Sequence, residues 1–257
     1  MKAIIGYVSF ALLAYVAFLA VTFPADRAYA MLQDKMPPGV HLYELHGSVW
    51  HGGAGAAQIG RYRLAPLHWE YRPAGLLSGR VDVKVSFDSG PSHASAIIGL
   101  SRDGDIRFSD VDVNTPAGEL VKLLQLPIVQ LKGNITAKLA GLTVEDRRLT
   151  SLDGTLTWAG AQVTRPRNFS LGGLEADFKT DGGVVKGTLR DKGGPLQLQG
   201  LVTVKADGSY RVNARLENRD PNQAALTRFL HQIGRPGPGG RVIVNYSGKI
   251  PPLPVGM

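Results

Sequence analysis

Cysteine is absent from all 257 residues. Disulfides, thiolate metal sites and a cysteine nucleophile are thereby excluded, and an oxidising compartment is compatible with the chain. Aromatic residues are few, at 7%, and no basic strand interleaves them in the pattern that stacks bases. No run of five like charges occurs, although the formal net charge is +8 and the sequence pI about 9.8. The basic residues are scattered. Their densest spots, Arg147-Arg148 and Arg165/Arg167, lie near Glu145 and Asp146. Nucleic acid is therefore not an expected partner. A G-x-S-x-G elbow is missing, and so are the G-x-x-x-x-G-K-[ST] and G-x-G-x-x-G phosphate loops.

One long apolar run is present, and it comes first. Residues 3–23, AIIGYVSFALLAYVAFLAVTF, carry no charge. Twenty-one residues as a helix span a hydrocarbon core of about 30 Å. Lys2 and the α-amino group predict an N-in, C-out topology. The rival reading is a cleaved signal peptide, because Ala28-Tyr29-Ala30 has the small-x-small form of a cleavage site. The run exceeds the 7–15 residues of a secretory core, which favours a retained anchor. Either reading places the rest of the chain outside the cytoplasm, which in a bacterium is the periplasm. The expected organisation is an anchor over residues 1–24, a linker over 25–40 and a β-rich domain over 41–257.

Alternation dominates the body. RVDVKVSFD (80–88), LQLQGLVTV (196–204), YRVNARLE (210–217) and RVIVNYSGKI (241–250) each send apolar residues one way and polar residues the other. Such period-2 patterning predicts half-buried antiparallel strands. RDGD (102–105), TDGG (180–183), DKGG (191–194) and KADGS (205–209) supply hairpin turns between them. Two helices are predicted. One runs from Pro116 to about Leu126 behind a Thr115 cap. The other follows an Asp220 cap, with Pro221 first and Gly234 as terminator. The expected fold is mainly β: a transmembrane helix, then a curved antiparallel sheet or sandwich-like domain with two short helices.

An apolar-x-Gly-x-apolar pattern recurs at 45–49, 77–81, 131–135, 152–156, 185–189, 198–202 and 246–250. In each case alternation puts the glycine on the apolar face. There a missing Cβ permits sharp twist or the close approach of a ring, with Trp50, Trp69 and Trp158 as the expected large partners.

The stretch LHGSVWHGGAGAAQI (45–59) concentrates histidine and glycine. His41, His46 and His51 are five apart, so on a strand successive ones face opposite sides and do not make a three-ligand site. HGGAG lacks a phosphate-loop pattern and reads as strand, turn and strand. Asp110 and Asp112 form a carboxylate pair on one strand face, read as a solvated face rather than a cation site. Asn134-Ile135-Thr136 and Asn168-Phe169-Ser170 match a glycosylation sequon that matters only in a eukaryotic secretory setting. No catalytic constellation is present, so neither an enzyme nor a cofactor is expected.

The order of features adds a resemblance. FPADRAYAML is followed by PPGVHLYELHGSVWHGGAGAAQIGRYRLAPLHWEYRPAGLLSGRV and, after the β-rich body, by VIVNYSGKIPPLP. Over residues 24–81 this resembles the type II secretion system protein N family; a looser likeness is to AsmA-like periplasmic proteins. The first resemblance implies a single-pass inner-membrane protein whose periplasmic domain docks with other platform subunits, and it implies no catalytic residues. Trp50, His51 and Trp69 are then the candidate interaction surface. The looser likeness implies lipid handling. For that alternative Val83, Val85, Ile135, Leu198, Val202 and Val244 are the candidate lining of an apolar groove, with lipid as the ligand.

Overall fold

The computed structural model describes Phe18 and residues 22–33, 39–59, 62–64, 66–123 and 130–250. Helix α1 (Ala25–Leu32) leads into strands β1 (Val40–Gly47), β2 (His51–Ile59), β3 (Tyr62–Leu64) and β4 (Leu67–Arg72). β5 (Arg80–Ser89), β6 (Ser92–Ser101) and β7 (Ile106–Pro116) precede helix α2 (Ala117–Leu123). β8 (Gln130–Glu145) and β9 (Arg148–Arg165) are followed by β10 (Phe169–Asp181), β11 (Val184–Asp191), β12 (Leu196–Lys205) and β13 (Ser209–Asn218). Helix α3 (Ala224–Ile233), β14 (Arg235–Pro236) and β15 (Val242–Lys249) complete the order.

All fifteen strands belong to one antiparallel sheet. Nearly every strand pairs with its neighbour in sequence. β3 sits off the path on β2, and β15 lies between β13 and β14. The expected strands are present at 80–89, 196–205, 209–218 and 242–249, and the four expected turns join strands. The sandwich-like alternative gives way to one open sheet. Alternation reports a half-buried face but not whether a second sheet or a helix covers it.

Register places one apolar face along most of the sheet. From β4 to β8 it carries Trp69, Val85, Ala96, Val111 and Leu139 in succession, and Val83, Ile98, Phe108 and Leu142 beside them. From β12 to β15 it carries Leu198, Leu216 and Val242, then Val202, Val212 and Tyr246.

At the C-terminal half the sheet curls around α3. Phe169 of β10 and Val242 of β15 join one buried cluster with Leu226 and Leu230 of that helix. Those strands are four steps apart, about 19 Å if flat, whereas a helix is only about 10 Å wide. Curvature of the sheet brings both within reach of one helix. At the opposite strand ends, Arg148 Nη1 donates to the carbonyl of Asp207 at 2.9 Å, joining turns that flat strands would keep apart.

Among the described residues there are three α-helices, where two short ones were expected beside the apolar span. α1 lies in the stretch read as linker. Pro24 bridges to Ser48, and the Tyr29 hydroxyl accepts a bond from the Leu42 amide at 3.2 Å, so α1 covers the first edge of the sheet. α2 begins at Ala117, because Thr115 and Pro116 are still paired with Ile135 and Asn134. The Thr115 hydroxyl bonds Ser92 Oγ at 2.7 Å instead of capping. α3 begins three residues beyond Pro221. Asp220 closes a side-chain turn on the Asn222 amide at 3.0 Å, which delays the first helical residue. Gly234 does end that helix, its amide bonding the Leu230 carbonyl.

The apolar span 3–23 lies outside the described residues apart from Phe18, Thr22 and Phe23. Among the described residues no helix is long and apolar enough to cross a membrane.

Candidate interaction surface

The β1–β2 hairpin and β4 bring Trp50, His51 and Trp69 to one end of the sheet. The turn is tight: the Ser48 amide donates to the His51 carbonyl at 2.7 Å, and the His51 amide donates to Ser48 Oγ at 3.1 Å. Trp69 Nε1 donates to the Val49 carbonyl at 3.1 Å. Its ring lies over Gly52, where any Cβ would collide with it. Trp50 meets Tyr71 edge to face, with ring centroids 4.8 Å apart. The Tyr71 amide bonds the Trp50 carbonyl at 2.7 Å. Trp50 and Trp69 are thus half-buried members of a packed aromatic group, and His51 is the exposed member.

Register adds a histidine that the sequence did not single out. The hairpin folds β2 back, so His46 aligns with Gly53 and Gly53 with His68. The two imidazoles meet edge to face at 6.0 Å. A Cβ at Gly53 would fall 2.5 Å from His46 Nε2 and 2.9 Å from His68 Nδ1. The glycine makes room for this pair. His68 was not among the sequence candidates because only register brings it beside His46. Among the described residues no three His, Asp or Glu side chains converge as a metal site.

The Asp110/Asp112 pair is broken by a bulge. Asp110 has φ +49°, and the register shift around it aligns Ser109 with Ile97 and Asp112 with Ser95. Ser109 and Asp112 therefore share a face, not Asp110 and Asp112.

The recurring glycines separate into two kinds. Gly187 lies against the Phe178 ring and Gly248 against Tyr210, so the large partners there are Phe and Tyr rather than tryptophan. Gly47, Gly79, Gly133 and Gly154 belong to turns and irregular pairings instead of a regular apolar face. At Gly133, φ is +100° and an added Cβ would meet the Gly160 carbonyl at 2.5 Å, so both backbone and space demand glycine.

All six candidate groove residues lie on the apolar face, but they fall in two environments. Val244 is 7% exposed, and Leu198 packs against the same cluster beneath α3. Val83, Val85 and Ile135 are half-buried in strands that α3 does not cover, and Val202 is half-buried further along β12 than Leu198. Between Leu67 and Pro116 no described apolar side chain is buried. On that open face Val81 is 49% and Leu100 50% exposed.

Charged groups concentrate their pairing in the covered half. Hydrogen bonding from Arg190 holds the Glu175 carboxyl below its ordinary range against the opposing effect of burial, with Lys192 assisting. Burial opposes ionisation of Asp191, but Arg219 and the amides of Leu198 and Gly193 outweigh it and lower its pKa.

Comparison with known proteins gives a consistent result. The family model described as type II secretion system (T2SS), protein N matches residues 38–245. The chain is 27% identical over 244 residues to the type II secretion system protein N of Pectobacterium carotovorum subsp. carotovorum, covering 93% of this chain and 94% of the relative. It is 22% identical over 255 residues to the protein of the same name from Vibrio cholerae serotype O1 (strain ATCC 39315 / El Tor Inaba N16961), covering 97% and 100%. No solved structure matches.

Proposed function

The chain belongs to the type II secretion system protein N family, and from that premise we propose a non-enzymatic, inner-membrane-anchored docking component of the secretion platform. Residues 3–23 cross the inner membrane once, N-in, and the β domain stands in the periplasm. There it contacts other platform subunits and supports export of folded proteins across the outer membrane. The observation that carries the reading is the apolar face of β4–β7, on which no described side chain is buried, a surface that a folded domain rarely leaves unpartnered. The aromatic group of Trp50, Trp69 and Tyr71 borders it.

In-cell crosslinking of the full-length chain, followed by mass spectrometry, tests the proposal. Capture of inner-membrane subunits of the secretion system, through residues of β4–β7, is the expected result. Capture through the opposite, polar face alone would contradict it.

The same observation favours a second reading. An uncovered apolar face that includes Val83 and Val85 also suits an acyl chain. Crosslinks to phospholipid or lipopolysaccharide in place of platform subunits would put lipid handling first.

A further inference from the structure

Antiparallel register fixes which turns share an end of the sheet. The β1–β2 turn at Ser48, the 3-10 turn Pro73–Ser78, the β6–β7 turn at Arg102–Asp105 and the β8–β9 turn at Asp146–Arg147 all lie at one end. α2 and the start of α3 lie at the other, following β7 and β13. The two ends differ in cover. α2 and α3 pack at the far end, and only the first turn of α1 reaches the near end among the described residues. The near end instead exposes Phe23 at 37%, Val49 at 38%, Leu76 at 58%, Val81 at 49% and Leu100 at 50%.

The near end is also where the uncharged N-terminal run meets the domain. The Thr22 amide bonds the Phe18 carbonyl at 3.0 Å in a helical turn, and the Val49 amide bonds the Phe23 carbonyl at 3.1 Å. Pro24 then bridges to Ser48, leaving no free linker between the run and the sheet at that point. We propose that this end of the sheet seats directly on the membrane surface, with Val49, Leu76, Val81 and Leu100 entering the headgroup layer beside the anchor. The inference rests on the reading of residues 3–23 as a membrane span.

Two physical points favour a bilayer over a protein as the occupant. First, the exposed side chains come from the β1–β2 turn (Val49), the 3-10 turn (Leu76) and the paired near ends of β5 and β6 (Val81 opposite Leu100), so they line one end of the sheet. Such an end can dip into an interface that also holds aromatic side chains such as Trp50 and Trp69. Second, the charges nearby form no cationic patch: Arg72 pairs with Glu70 at 3.7 Å and Arg80 with Asp82 at 3.7 Å, and the β6–β7 turn sets Arg102 beside Asp103 and Asp105. The contact is therefore apolar and should depend little on salt. A seated near end leaves the uncovered face of β5–β7 opening at the bilayer. The Gly90-Pro91 turn then stands roughly 30 Å above it, the length of a ten-residue strand such as β5.

The absence of cysteine makes the test direct. Single-cysteine variants of the full-length chain, Leu76→Cys, Leu100→Cys and, as the far-end control, Pro91→Cys, would carry a nitroxide. The chain would be reconstituted in vesicles of phosphatidylethanolamine and phosphatidylglycerol. All three positions are exposed, so the fold should survive, and a melting curve checks it. Collision with oxygen should exceed collision with a water-soluble nickel chelate at Leu76 and Leu100, with the preference reversed at Pro91, and high salt should leave the pattern unchanged. Nickel-dominated collision at all three positions in a chain that resists alkaline carbonate extraction would overturn the seat and leave the anchor standing. Release of the whole chain by carbonate would overturn the anchor reading and the seat with it.

Discussion

The two halves of the sheet use the same alternation and reach different states. From β9 to β15 the far end of the apolar face closes on α3, where Leu226 and Val242 are 0% and 1% exposed. From β4 to β7 the face closes on nothing, and no described apolar side chain is buried. The difference follows from what the intervening sequence supplies. A ten-residue helix with Leu226, Phe229, Leu230 and Ile233 is inserted between β13 and β15. The earlier insertion, α2, is seven residues long, and among its described side chains Ala117 and Val121 are the buried ones. The lesson is that binary patterning commits a strand to a face but leaves the cover to be found elsewhere, within the chain or outside it.

Core truncation gives the sharpest contrast. Leu226→Ala should lose about 2–5 kcal/mol of stability in thermal or denaturant unfolding, because the cavity lies in a packed cluster. Ile98→Ala, on the open face, should lose about 1 kcal/mol or less. Equal losses would show that the open face is covered after all.

Overpacking comes next. At Gly187 a Cβ would stand 2.6 Å from Phe178 Cε1. Gly187→Ala should therefore cost about 1–3 kcal/mol, and the double variant with Phe178→Leu should recover part of it. No recovery would place the strain in the backbone.

Acid reads the covered half through its ion pairs. Glu175 and Asp191 have folded-state pKa values below their ordinary ones. Their contribution is therefore full above about pH 5 and declines as the pH falls through the folded values. Melting temperature should fall over that range, and Arg190→Gln should flatten the fall. An unchanged profile in that variant would remove Glu175 from the account. The smallest effect is expected at Arg148→Ala, which loses an exposed bond to the Asp207 carbonyl. Its cost should stay within about 1 kcal/mol if packing on α3, rather than this contact between turns, sets the curvature.

Much of the sheet was legible in the residues. β5, β12, β13 and β15 alternate cleanly, and Asp-Gly and Gly-Gly turns mark their ends. β8 and β9 were less so, because irregular pairings near Gly133 and Gly141 shift the phase that alternation relies on. α1 was hidden because Ala28-Tyr29-Ala30 also satisfies a cleavage pattern, and its role in covering the edge depends on Tyr29 reaching Leu42. The choice between a sandwich and an open sheet was not legible, since a covered and an uncovered strand need the same pattern. The candidate surface was legible as a cluster of residue types. Its internal packing, Trp50 on Tyr71 and His46 beside His68, required register.

Hydrogen exchange on the full-length chain in lipid nanodiscs, resolved by strand, tests the contrast between the halves most directly. Amides of β10, β12 and β13 should exchange only through global opening, and those of β5–β7 through smaller openings. Protection of β5–β7 should rise when the other platform subunits are added. Uniform protection across the sheet in the isolated protein would contradict the account, because it would mean the open half needs no partner to be stable.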